Sequence, residues 1–230
     1  MRILFFATYP TQPTGYARIG NILSNYLASV GHDVYYIGIS NFKDSAIGRF
    51  VHPGITLLDA LAERKEGSEE MYGVDVMVPL ISKIKPEVVF IYNDIIVINR
   101  IINEFIECKL VKEFKFYIYL DLVYEYERLI LFQNIKVWAD KIFVFSECWQ
   151  RNLKTLGIPA EKLVVLPHGI DTTLFYPMDN TLAKQQFGFQ EDDFLILNTN
   201  RNAYRKALDI TLEAFIKFLK RPFDFEPRSL

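Results

Sequence analysis

The chain has 230 residues, half of them hydrophobic, enough to bury one large core or one core and part of another. Its formal charge of -2 comes from acids and bases that are interspersed rather than blocked, which offers no surface for a phosphate backbone or an anionic membrane; nucleic acid is not an expected partner. Cys108 and Cys148 are too few and too far apart for a disulfide framework or a metal knuckle, and read as reduced core thiols in helical patterns.

The first residues, MRILFFATYPTQP, place a basic residue ahead of apolar ones, but the apolar run is short and Tyr9, Pro10 and Gln12 interrupt it, unlike a signal sequence. The longest apolar patterns are broken by Asn, Asp, Glu or Lys before they reach the length of a membrane span. A cytoplasmic protein with no transmembrane segment is expected. Along the chain, short runs rich in Val, Ile, Phe and Tyr alternate with longer amphipathic segments. The pattern predicts strands over 3–8, 33–39, 87–92, 115–120, 141–145 and 162–166, and helices over 17–30, 74–84, 95–108, 126–138 and 148–156. Continuous apolar strands need cover on both faces, so the expected class is α/β, with an open parallel Rossmann-like sheet.

Two parts break this rhythm. Residues 41–72 hold several glycines and the charged run AERKEGSEE, and are expected as an irregular excursion with a solvated charged surface. After Pro177 the chain reads as a linker with a short helix to residue 193, then a strand over 194–198, a helix over 207–220 and the polar end PFDFEPRSL. The expected organisation is a first domain over 1–175, a linker over 176–193 and a further part over 194–230. One strand and one helix cannot bury their own faces, so this last part either docks on the first domain or begins a second one.

In an open parallel sheet, ligands bind at the carboxyl ends of strands, and the amides of the following helix favour anions. The first such loop, ATYPTQPTG, ends in Thr14 and Gly15, where a ligand could approach the backbone closely or a turn could simply require glycine. It carries neither GxGxxG nor GxxxxGK[ST], which argues against a nicotinamide dehydrogenase or a P-loop enzyme. His32, after Gly31, reads as a partner of a helix end. Asp94 follows FIYN and Asp121 follows FYIYL; a carboxylate there serves proton transfer or hydroxyl binding, or caps the next helix. Only three histidines occur, and no metal-ligand cluster or Ser-His-Asp order is recognisable. NTNRNAYRK sets Arg201, Arg205 and Lys206 between a predicted strand and helix, a geometry suited to a diphosphate.

The segment ADKIFVFSECWQRNLKTLGIPAEKLVVLPHGIDTTLFYP resembles the signature of glycosyltransferase family 4: an Ala-Asp pair, a strand ending in Ser, a helix, then a Pro-His-Gly-Ile-Asp run and a Phe. NTNRNAYRKALDITLEAF is similar to the family's second-domain opening, and TGYARIGNILSNYLASVGHDV to its first helix. The resemblance implies the two-domain GT-B fold and a retaining transfer of a sugar from a nucleotide-diphosphate sugar to a hydroxyl acceptor (a glycan, lipid or protein-linked group), without a metal or other cofactor. It assigns the donor diphosphate to Arg201, Lys206, Thr14 and Gly15, the acceptor to Tyr16, Arg18 and Asp94, catalysis to Asp121, and a hinge to His168, Gly169, Asp171 and Phe175. Gly169 is expected to take a backbone shape that other residues resist, and Phe175 to sit in an apolar pocket. Asp121 stands where the family often has His. The paired glycines beside Arg201 and Lys206 appear as Asn200 and Ala207. The family's donor-binding half, with two glutamates, has no counterpart before Leu230, so the expectation is an acceptor-side domain with the start of a donor-side one. A non-catalytic sugar- or protein-binding module and a nucleotide-sugar epimerase are the alternatives.

Overall fold

The computed structural model describes residues 1–64, 66–122 and 129–220, and the chain divides into two compact units, Met1–Ile170 and Asp171–Leu230. In the first, seven parallel strands stand in the order β3-β2-β1-β4-β5-β6-β7. They are β1 (Arg2–Thr8), β2 (Asp33–Ile39), β3 (Ile55–Asp59), β4 (Val88–Asn93), β5 (Lys115–Leu120), β6 (Lys141–Val144) and β7 (Leu163–Val165). The helices between them are α1 (Gly15–Ser29), α2 (Ala60–Glu63), α3 (Val74–Ile84), α4 (Ile95–Glu107), α5 (Leu129–Trp138) and α6 (Glu147–Thr155). The chain therefore has the α/β, open parallel-sheet Rossmann-like fold that the alternation of its apolar runs predicts. The order reverses between β1 and β4, which makes the carboxyl ends of these two strands the topological switch point, the place where open α/β sheets bind ligands.

Alternate residues of each strand serve opposite faces. Leu4, Phe6, Val89, Ile91, Phe116 and Ile118 join the core shared with α3, α4 and α5. Ile3, Phe5, Ala7, Phe90 and Tyr92 join a second core beneath α1. Thr14 caps α1, accepting the Ala17 amide at 3.1 Å, and Gly31 takes the left-handed φ of 88° that ends its last turn. His32 lies in that turn, its amide on the Leu27 carbonyl.

The structure departs from the sequence reading in several places. Within the expected irregular excursion lies β3, paired in parallel with β2. The charged run is not solvent alone: Glu70 pairs with Arg100, whose guanidinium lies 5.1 Å from the centre of the Tyr72 ring. Cys108 and Cys148 are exposed, not core thiols, because Cys108 follows the last turn of α4 and Cys148 lies in the first turn of α6, where Leu153 is the buried residue. The start of the expected helix over 126–138 lies outside the described residues; α5 is described from Leu129.

The second unit holds α7 (Asn180–Gln186), a single 3-10 turn at Tyr204–Lys206 and α8 (Leu208–Leu219). Residues 194–198 form no strand. A strand exists only where a neighbour completes its hydrogen bonds, and the described residues of this unit offer helices alone. Phe194 and Leu197 are 85% and 84% exposed.

Candidate functional site

At the carboxyl edge of the sheet, the strands present a row of aromatic rings. Tyr16, in the first turn of α1, lies 5.2 Å from Tyr92 of β4, which lies 4.9 Å from Tyr119 of β5. Tyr119 donates its hydroxyl to the Leu166 carbonyl, beyond β7. The His168 ring meets Tyr119 edge-on at 5.6 Å and lies tilted on Phe145 at 5.3 Å, closing the row above β5 and β6. Burial anchors the tyrosines: Tyr92 and Tyr119 are each 1% exposed.

The half-buried Asp121 follows β5, and its amide donates to the Asn93 carbonyl across the strand gap. The Tyr16 hydroxyl hydrogen-bonds to the Asp121 carboxylate. Burial first, then the charges of Asp121 and Asp94, push the Tyr16 hydroxyl far above its ordinary range. Tyr92 and Tyr119 are raised for the same two kinds of reason, burial ahead of the Asp121 charge. All three hydroxyls therefore stay protonated; that of Tyr16 serves Asp121, while that of Tyr119 is spent on the Leu166 carbonyl.

Asp94 caps α4: its Oδ1 accepts the amides of Ile96 and Val97, each at 3.0 Å. Its neighbour Asn93 is 5% exposed; Oδ1 accepts the Asp94 amide at 2.9 Å, while the buried Nδ2 finds no acceptor among the described residues. Sequence reasoning missed this amide, because a polar residue that ends an apolar strand reads as the start of a loop. Gly15 heads α1 outside the left-handed region, and a Cβ there meets nothing within 4 Å. The backbone does not demand glycine at this point; glycine leaves open space over the first amides of the helix.

The structure thus brings Tyr16, Asp94 and Asp121 to one edge, with Thr14 and Gly15 at the head of α1. Arg18 lies half-buried on α1. In the second unit, Arg201 is exposed in a loop and the half-buried Lys206 ends the turn ahead of α8. Ala207, where the family resemblance has glycine, takes a left-handed φ of 46°.

Of the expected hinge residues, Asp171 does cap a turn, its Oδ1 accepting the Thr173 amide at 2.9 Å. Gly169 is not in the left-handed region and has open space around it, so no special backbone shape requires it. Phe175 is 53% exposed rather than enclosed, since no described residue of the second unit is buried and none of its elements forms an interior to receive a ring. Among the described residues, no three His, Cys, Asp or Glu side chains converge as metal ligands, and no helix is long and apolar enough to cross a membrane.

No family model and no curated protein matches the sequence. Among solved structures, the chain is similar to sucrose-phosphate synthase from Thermosynechococcus elongatus, with a TM-score of 0.67 and 14% identity over 94% of this chain and 60% of that one. It is also similar to the catalytic domain of starch synthase IV from Arabidopsis thaliana bound to ADP and acarbose, with a TM-score of 0.58 and 12% identity over 95% of this chain and 66% of that one. Anabaena HepE in complex with UDP-glucose gives a TM-score of 0.53 and 14% identity over 82% of this chain and 50% of that one. The likeness is one of fold, and the chain spans from half to about two thirds of the length of these proteins.

Proposed function

We propose that the chain serves a retaining glycosyltransferase of the GT-B type, moving a sugar from a nucleotide-diphosphate sugar to a hydroxyl acceptor. The observation that carries this reading is the Asp121 carboxylate at the carboxyl edge, next to the switch point between β1 and β4 and beside the row of rings Tyr16, Tyr92 and Tyr119. Support comes from the fold shared with two synthases of saccharides and from the ADP and UDP-glucose held in two of the similar structures.

In the proposed reaction the bond from the sugar's anomeric carbon to the diphosphate oxygen breaks, and its electron pair leaves with the diphosphate. The acceptor oxygen bonds to the same face of that carbon, and its proton passes to Asp121. The oxocarbenium-like transition state places growing negative charge on the diphosphate. Arg201 and Lys206 are assigned to that charge, so that fixed side-chain cations take the part a metal ion plays elsewhere. Thr14 and Gly15 present open backbone to the donor. Asp94 keeps Oδ2 for an acceptor hydroxyl while Oδ1 caps α4, and Tyr16 fixes the carboxylate that the acceptor meets.

Turnover of UDP- and GDP-sugars by the intact protein tests this reading. Arg201→Ala and Lys206→Ala are each expected to lower kcat by on the order of 10²-fold, the cost of losing one charge-stabilising group in a transition state. Unchanged turnover in both variants removes the diphosphate assignment; no turnover of any nucleotide sugar by the intact protein overturns the enzymatic reading.

A further inference from the structure

The segment after β7 is tied down over the neighbouring strands. The Leu166 amide donates to the Val144 carbonyl at 2.8 Å, continuing the ladder with β6, and the Leu166 carbonyl accepts the Tyr119 hydroxyl from β5. With Leu166 held through both its backbone groups, His168, two residues on, meets the aromatic row. Its ring lies 5.3 Å from Phe145 at 30°, 5.6 Å from Tyr119 at 72° and 6.2 Å from Tyr92 at 81°. Phe145 is in turn backed by Trp149 of α6, 6.4 Å away. One tilted and two edge-on neighbours, from β4, β5 and the residue after β6, fix the plane of the imidazole.

Packing alone does not call for a histidine here. A ring that only filled space could be Phe or Tyr, as its three neighbours are. His168 is exposed, and among the described residues neither of its ring nitrogens has a hydrogen-bond partner. A neutral imidazole offers one N–H donor and one acceptor, here held in a set plane and open to a ligand. Tyr92 and Tyr119 lie beneath as support, while the half-buried Tyr16 and Phe145 keep part of their rings within reach. The charge that meets this row is negative: Tyr16 hydrogen-bonds to Asp121 and also feels Asp94. Two carboxylates disfavour a phosphate or carboxylate beside them. A hydroxyl, which donates and accepts, suits both the imidazole and a carboxylate, and the C–H faces of a sugar ring suit the aromatic rings.

We infer that His168 is a ligand-contacting residue of this edge, its imidazole hydrogen-bonded to a hydroxyl of a neutral sugar carried by the acceptor. The inference deepens the proposed function and rests on its reading that the first unit takes the acceptor. It gives a residue expected in the hinge a place in the acceptor site.

Nuclear magnetic resonance on the full chain, carbon-13-labelled at its histidine rings, tests it by titration with methyl glucoside, methyl galactoside and methyl mannoside, each also as its 6-phosphate. The chain has three histidines, and the His168 signal is the one lost in His168→Phe. At least one neutral sugar is expected to move that signal in the parent protein, and its 6-phosphate to bind more weakly. His168→Phe keeps a ring against Phe145 and Tyr119; it is expected to leave the urea midpoint unchanged and to weaken calorimetric affinity about three- to tenfold, one neutral hydrogen bond. His168→Gln, which keeps a donor and an acceptor, is expected to recover part of the affinity. Full affinity in His168→Phe, an unmoved His168 signal with all three neutral sugars, or tighter binding of the 6-phosphate overturns the inference. Sugar binding through His168 in a protein that turns over no nucleotide sugar strikes the proposed reaction alone.

Discussion

Asp140 carries a large share of structure for one side chain. Its Oδ2 accepts the Phe116 amide at 2.9 Å and the Lys112 ammonium at 2.6 Å, while Oδ1 lies 3.5 Å from Lys115, so one carboxylate ties the start of β6 to the start of β5. Burial alone pushes this carboxyl up; the hydrogen bonds from Lys112 and Phe116 and the charges of Lys112 and Lys115 outweigh it and hold the group below its ordinary value of 3.8. A carboxyl lowered on folding stabilises the fold above its unfolded value, and that contribution is lost as pH falls through the folded value. Asp140→Asn is therefore expected to lose up to about 1.5–3 kcal/mol near neutral pH, the range for hydrogen bonds to a charged group. Urea titrations run from neutral pH down to about pH 3 should show the gap to the parent protein narrowing; a gap that stays constant refutes the account. This aspartate belongs to the Ala-Asp pair of the family resemblance, yet its work is structural and sits at the opposite edge of the sheet from the candidate site. Spacing alone could not separate the two roles, because a carboxylate beside a strand reads the same at either end. Asp94 and Asp121 were legible as edge residues. The packing of the loop after β2 was not, since only the long-range bonds from Gln12, Asn21 and Asn25 bring it against α1 and the loop before it.

At the scale of elements, the placement of α1 decides where Tyr16 and Arg18 stand. The helix approaches the sheet closely at Gly20: a Cβ there falls 2.8 Å from the Tyr36 hydroxyl and 3.0 Å from the Ala7 Cβ. The hydroxyl cannot retreat freely, because it donates to the Thr8 carbonyl at 2.6 Å. Gly20→Val adds branched bulk at this contact and is expected to cost about 1–3 kcal/mol, as overpacking does, despite the better helix propensity of a residue other than glycine. Denaturant midpoints measure the loss, and a change below about 0.5 kcal/mol shows that α1 is not seated by this contact. Five of the central strands were legible because runs such as ILFFA and VVFIY are buried from both sides, which demands unbroken apolar sequence. The edge strand β3 was not, since none of its residues is fully buried, Thr56 is exposed, and turn residues precede it. The run FLIL at 194–197 failed in the other direction. Its composition is that of a strand, but a strand's hydrogen bonds lie in its neighbour and not in its own residues.

At the scale of the whole molecule, the two units differ in what holds them. Buried side chains fill both faces of the sheet in the first unit, from Ile3 to Leu163, whereas every described residue of the second is exposed or half-exposed. Since apolar burial supplies most of the free energy that offsets chain entropy, local opening is expected to cost little in the second unit and close to the full unfolding free energy in β1, β4 and β5. The αL conformation of Ala207 at the head of α8 adds a local cost of about 1–2 kcal/mol, which glycine in its place avoids. Hydrogen exchange followed by peptide mass spectrometry should find the amides of α7 and α8 exchanging at least about 100-fold faster than those of the three central strands, equivalent to a difference of some 2.7 kcal/mol in opening free energy. Equal protection in α8 and β4 would mean that the apolar side chains of Phe187, Phe194 and Leu197, 79%, 85% and 84% exposed in the structure, are covered in solution. Adding a UDP-sugar discriminates further: binding that engages Arg201 and Lys206 slows exchange at the turn Tyr204–Lys206 and the first amides of α8, because each opening must then break contacts with the ligand. Slowing confined to α1 and the head of α4 instead would assign the nucleotide to the first unit and remove those two cations from the donor.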